Sequence, residues 1–94
     1  MFRGVLEDVL SRIDREELVR LTMELVRIPS VYRPEERDGT ENSVSRFVAG
    51  YLEDAGFGVR VEEVAPGRSN VWSVWEGDRP GKTLLFEAHT DVVT

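Results

Sequence analysis

Apolar positions fall at helical spacing over the first half of the chain and at alternating spacing over the second. Val5, Leu6, Val9, Leu10 and Ile13 repeat as one helical face, which predicts a short amphipathic helix over Phe2–Ile13. Asp14 followed by Glu17 fits a helix N-cap with a reciprocal carboxylate, and Leu18, Leu21, Leu25 and Ile28 trace the next apolar stripe. Pro29 stops that helix, because proline supplies no N–H and disfavours helical backbone in the residue before it. The segment 30–40, with Pro34, Asp38 and Gly39 among charges, reads as an exposed loop. Val44, Phe47, Val48, Tyr51, Leu52 and Ala55 predict a third helix from about Glu41 to Ala55, capped by Thr40 or Asn42 and ended by Gly56. Tyr51 offers a hydroxyl for chemistry, but its place on the stripe favours a core ring.

Past Gly58 the period changes. Val59 and Val61 alternate with Arg60 and Glu62 as in an edge strand, Pro66-Gly67 makes a turn, and 70–76 forms a second strand. Trp72 and Trp75 resemble a stacking platform only superficially; three apart on a strand they point to opposite faces, and covering the sheet under helices is the better account. After the turn at 77–81, a third strand runs from Lys82 to His89, its Leu84-Leu85-Phe86 run suited to a central position covered on both faces. The expected class is α/β: three helices followed by a β-meander of three strands. His89 then stands at the C-terminal end of the central strand, the edge where open α/β sheets place their ligand sites.

Composition narrows the functions open to such a chain. The 94 residues make one small domain or part of a larger one. Hydrophobic residues at 40% and charged residues at 32% argue for a folded chain rather than disorder. A formal net charge of −6 argues against nucleic acid or an anionic membrane as partner. The absence of cysteine removes disulfides and thiolate metal sites and leaves His, Asp and Glu as strong ligands. Without a signal-peptide pattern or a long apolar run, a cytoplasmic location is expected.

His89 is the single histidine, and Asp91 follows two residues later. On an extended strand residues i and i+2 share a face, the arrangement of a metal-ligating imidazole and the carboxylate that orients it. A lone histidine at a strand end is, in general, more often a satisfied structural group. The surrounding text changes the weighing. Leu84-Leu85-Phe86-Glu87-Ala88-His89-Thr90-Asp91-Val92-Val93, downstream of Glu24-Leu25-Val26-Arg27-Ile28-Pro29-Ser30, resembles the zinc metallopeptidase and deacylase family of acetylornithine deacetylase, succinyl-diaminopimelate desuccinylase, aminoacylase and glutamate carboxypeptidase. The helix from Glu41 and the Asn70-Val71 strand start support the likeness, which covers nearly the whole chain. Ala88 stands where that family usually has glycine and Thr94 where it often has proline; neither change removes a ligand.

The resemblance implies the N-terminal portion of a zinc-exopeptidase-like three-layer catalytic domain, incomplete over residues 1–94. It implies that His89 binds one ion of a two-zinc pair, with cobalt as an alternative metal, and that Asp91 is the catalytic-site residue steering the imidazole. Glu87 matches no functional position of the family, and a solvated or salt-bridged role is expected for it. The implied reaction is hydrolysis of the amide bond of an N-acyl amino acid or small peptide by metal-activated water, with a glutamate as general base. The bridging aspartate, that glutamate and the later ligands are expected beyond Thr94, so the fragment alone is expected to be inactive and to bind zinc weakly. A homodimeric parent is the expected assembly. The alternative from another class is a non-catalytic α/β binding or interaction module.

Overall fold

Glycine with positive φ marks two reversals among the described residues: Gly56 (φ 97°) at the exit of the last helix and Gly67 (φ 74°) in the hairpin turn. The computed structural model, which describes residues 2–33 and 41–93, arranges three helices and one hairpin in the order α1 (Phe2–Ser11), α2 (Arg15–Arg27), α3 (Glu41–Asp54), β1 (Gly58–Ala65) and β2 (Arg68–Val74). The mixed helix-and-strand class expected from the sequence is present.

The helix boundaries follow the residues that set them. Asp14 caps α2 by accepting the Glu17 N–H at 3.1 Å. The carboxylate of Glu17, expected to reach back to the cap, instead accepts the Tyr51 hydroxyl of α3 at 2.5 Å. Ile28 leaves the helix in extended conformation (φ −87°, ψ 119°) immediately before Pro29, as the proline ring demands. Tyr51 is only half-buried, its ring on the α3 flank and its hydroxyl spent on Glu17, so the expected core role is replaced by a link between helices. Of the two expected α3 caps, Thr40 lies outside the described residues. Asn42 lies inside the helix and accepts the Ser69 hydroxyl at 2.6 Å, so it caps nothing. The expected loop at 30–40 is described only to Arg33, where the chain has no helix; its remainder, including Pro34, Asp38 and Gly39, falls outside the described residues.

β1 and β2 pair antiparallel, with Val61 opposite Val71, Arg60 opposite Trp72 and a bulge between Glu63 and Ala65. The α3 helix lies against both strands and buries Val44 and Ala49, the buried apolar side chains among the described residues. Its first turns are fastened to the start of β2. The Asn42 N–H donates to the Gly67 carbonyl at 3.1 Å, and the Ser45 hydroxyl donates to the Ser69 carbonyl at 2.9 Å.

The three-strand meander is the expectation that needs correction. Among the described residues the sheet has two strands, and Lys82–His89 forms no strand. Leu84, Leu85 and Phe86, expected under cover on both faces, are 76%, 80% and 85% exposed. An apolar run states a preference for burial but does not name the partner, whereas β1 and β2 find each other across a tight local turn. The Trp residues likewise cover little: Trp75 lies just past β2 and rests on Phe57 with ring centroids 5.2 Å apart, and both indoles remain largely exposed. The α1 stripe of Val5, Leu6, Val9, Leu10 and Ile13 is also more than half exposed. The radius of gyration, 16.2 Å, exceeds the value of about 12 Å expected for a closed globule of this length. No helix among the described residues is long and apolar enough to cross a membrane.

Candidate functional site

The segment that carries His89 is placed by one backbone pairing with the stretch that follows α2. Val92 donates its N–H to the Ser30 carbonyl at 3.0 Å, and the Val92 carbonyl accepts the Tyr32 N–H at 3.1 Å, a parallel bridge between Val31 and Val92. Pro29 makes this possible: it ends α2 and turns the chain extended, freeing Ser30 and Tyr32 to pair outside the helix. Ser30 is buried beneath the bridge.

Immediately before Val92, His89 and Asp91 are in contact. His89 Nδ1 lies 2.9 Å from the Asp91 carbonyl oxygen and 3.1 Å from Asp91 Oδ1. Both neighbours are acceptors, so Nδ1 must carry the proton and donate to them. In the tautomer that carries its proton on Nδ1 the lone pair lies at Nε2, the form in which imidazole ligates a metal. The His89 side chain is 85% exposed and that of Asp91 39%, so the ring is held at its base and open at its outer edge. The two residues expected to share a strand face thus meet without a strand; Asp91 closes on His89 with both its backbone and its carboxylate.

Glu87, on the same segment, is exposed. Among the described residues no group of three or more His, Asp or Glu side chains comes together in a way that could hold a metal ion. The donor set therefore fits one ligand position, with correct tautomer and access, and not a closed site.

A second polar cluster, next to the bridge, was not legible in the sequence. Glu41, the first residue of α3, is 4% exposed, and its Oε1 lies 2.9 Å from Arg68 Nε. The pair is close but not aligned for hydrogen bonding, and among the described residues neither carboxylate oxygen has a hydrogen-bond donor. The Arg68 guanidinium in turn lies over the Tyr32 ring, 4.3 Å from its centroid. A glutamate at a helix start and an arginine after a Pro-Gly turn are ordinary features; nothing in their spacing pairs them.

One ionisable group is shifted by its surroundings. The Tyr51 hydroxyl is held above its ordinary value, chiefly by its hydrogen bond to Glu17, with desolvation and the Glu17 charge acting the same way. It lies on the α2–α3 contact. No protein-family profile, curated protein or solved structure matches this chain.

Proposed function

We propose that the chain supplies the first metal-ligand segment of a zinc-dependent amidohydrolase or exopeptidase acting on N-acyl amino acids or small peptides. The observation that carries this reading is the doubly accepted Nδ1–H of His89, a tautomer whose Nε2 lone pair lies on an exposed ring. His89 would hold the metal through Nε2, and Asp91 would fix the ring and raise its basicity. When bound, such an ion lowers the pKa of its water and polarises the scissile carbonyl. No group among the described residues supplies the other ligands or the general base, which this reading assigns to further residues of the parent protein.

The test is a cobalt(II) titration of the chain followed by NMR. Paramagnetic shifts and broadening centred on His89 Nε2, and lost in His89→Ala, support the reading. Broadening spread over the acidic surface without preference for His89 overturns it. Reading the coding sequence past Thr94 checks the same proposal from another side: an aspartate, a Glu-Glu pair and a late histidine are expected there, and their absence favours the non-catalytic module.

A further inference from the structure

We infer that Tyr32 and Arg68 are positioning residues for the His89–Asp91 pair, forming with Glu41 a rigid link from the helix–hairpin core to the site. This inference rests on the reading of His89 and Asp91 as the functional pair, but not on any metal being bound.

The link can be followed contact by contact. Glu41 belongs to α3, which packs on both strands, and its carboxylate is withdrawn from solvent. Its charge holds the Arg68 Nε at 2.9 Å at the start of β2. The same guanidinium stacks on the Tyr32 ring at 4.3 Å, a distance at which the ring quadrupole attracts the cation. Tyr32 then donates its backbone N–H to Val92, and Val92 donates back to Ser30. Val92 is covalently next to Asp91, whose two oxygens hold the imidazole.

Geometry explains why such a link is needed. Residues 75–89 form no helix or strand, and Leu84–Phe86 lack cover, so that stretch cannot fix His89 from its N-terminal side. Support has to come from the C-terminal side, through Val92. A two-bond bridge is a weak hold by itself, since an isolated pairing of this size opens easily. Stacking Arg68 on Tyr32 restrains one of the bridge's two segments from its side-chain face. The buried charge of Glu41 explains the choice of arginine there: a planar guanidinium can meet a carboxylate with one edge and an aromatic ring with its face, which a lysine ammonium cannot do as well.

Tyr32 is the residue to vary, because at 45% exposure its removal leaves no cavity in the core. The variants are Tyr32→Ala and Tyr32→Phe, compared with the unaltered chain in the absence of metal. Hydrogen exchange at the Val92 and Tyr32 amides reports the bridge, imidazole ¹⁵N shifts report the His89 tautomer, and exchange across α3 reports the core. In Tyr32→Ala the Val92 amide is expected to exchange about two- to fivefold faster, the size of effect one ring–guanidinium contact supplies. The His89 signals should move from the Nδ1–H form toward a mixture, α3 should be unchanged, and Tyr32→Phe should restore both readouts. Unchanged Val92 exchange together with an unchanged His89 tautomer in Tyr32→Ala overturns the inference. Loss of both that Tyr32→Phe fails to rescue also overturns it, because the ring face would then not be what acts. Since no readout involves metal, a failed cobalt titration and a failed link remain separate results.

Discussion

The Tyr51 hydroxyl donates to Glu17 Oε1 at 2.5 Å, a side-chain hydrogen bond that ties α3 to α2 across the charged face of the latter. The neighbouring carboxylate favours the protonated phenol, so the folded-state pKa of Tyr51 lies above its ordinary value of 10.0. A group whose pKa rises on folding stabilises the fold fully below its unfolded value and loses that contribution as pH climbs through the folded one. Melting temperature should therefore fall on raising the pH above about 10. Tyr51→Phe should be less stable than the parent at neutral pH and should lack this alkaline component. A parallel decline of both proteins between neutral and strongly alkaline pH would exclude the link.

Asp14 caps α2 through a single bond to Glu17 N–H. Replacing it with alanine removes that acceptor and should cost about 1 kcal/mol, whereas Asp14→Ser should cost only a few tenths of that range. Urea denaturation followed by circular dichroism measures the difference. Because Glu17 also holds Tyr51, loss of the cap is expected to weaken the Tyr51 contact, and the Asp14→Ala and Tyr51→Phe effects should be non-additive.

The Glu41–Arg68 pair predicts an asymmetry between single and double changes. Arg68→Ala leaves a carboxylate that is almost fully buried without its counter-charge, a loss of roughly 2–4 kcal/mol, reduced from the fully buried case because 36% of the Arg68 side chain meets solvent. The double variant Glu41→Leu/Arg68→Met should recover most of it, since two apolar side chains need no pairing. If the double variant is as unstable as Arg68→Ala, the buried charge is not the cause.

Asp91→Ala should retain cobalt binding at His89 but weaken it by about 10–100-fold, the usual cost of losing a ligand's orienting partner, while His89→Ala removes the His89-centred signal altogether. Isothermal titration of the three proteins separates these outcomes. Equal affinity in Asp91→Ala and the parent would show that Asp91 does not orient the ring.

Leu84, Leu85 and Phe86 predict behaviour in solution rather than stability. Leu85→Lys, at a position 80% exposed, should change the melting temperature little and should reduce concentration-dependent self-association, seen by light scattering. Val44→Ala, at a position 3% exposed, should do the reverse, costing about 1.5–3 kcal/mol without altering association.

What could be read from the chain was what local chemistry decides. The Asp14 cap, the Pro29 stop, the Gly56 exit and the helix stripes are short-range signals, and each has its expected element beside it. The His89–Asp91 pairing was legible because residues two apart are near neighbours along the chain, while the backbone conformation that brings their side chains together was not. Lys82–His89 was misjudged for the opposite reason: a third strand depends on a remote partner, and apolar content cannot supply one. Nor could spacing have joined Arg68 to Glu41 and Tyr32, which come together only once α3 lies on the hairpin. The exposed α1 stripe repeats the lesson, since its periodicity was right for a helix and silent about what would cover it.

The Val31–Val92 bridge joins the stretch just after α2 to the far C-terminal segment, and this has a consequence for the order of assembly. Closing so long a loop costs more chain entropy than forming α2, α3 or the β1–β2 hairpin, and only two backbone hydrogen bonds reward it. The bridge should therefore be the last contact to form and the first to open. On that timetable His89 acquires its neighbour and its tautomer only in the final step of folding. Whatever ligand favours the closed arrangement would act on that step, converting binding energy into a slower opening rate for the bridge while leaving the helices and hairpin as they were.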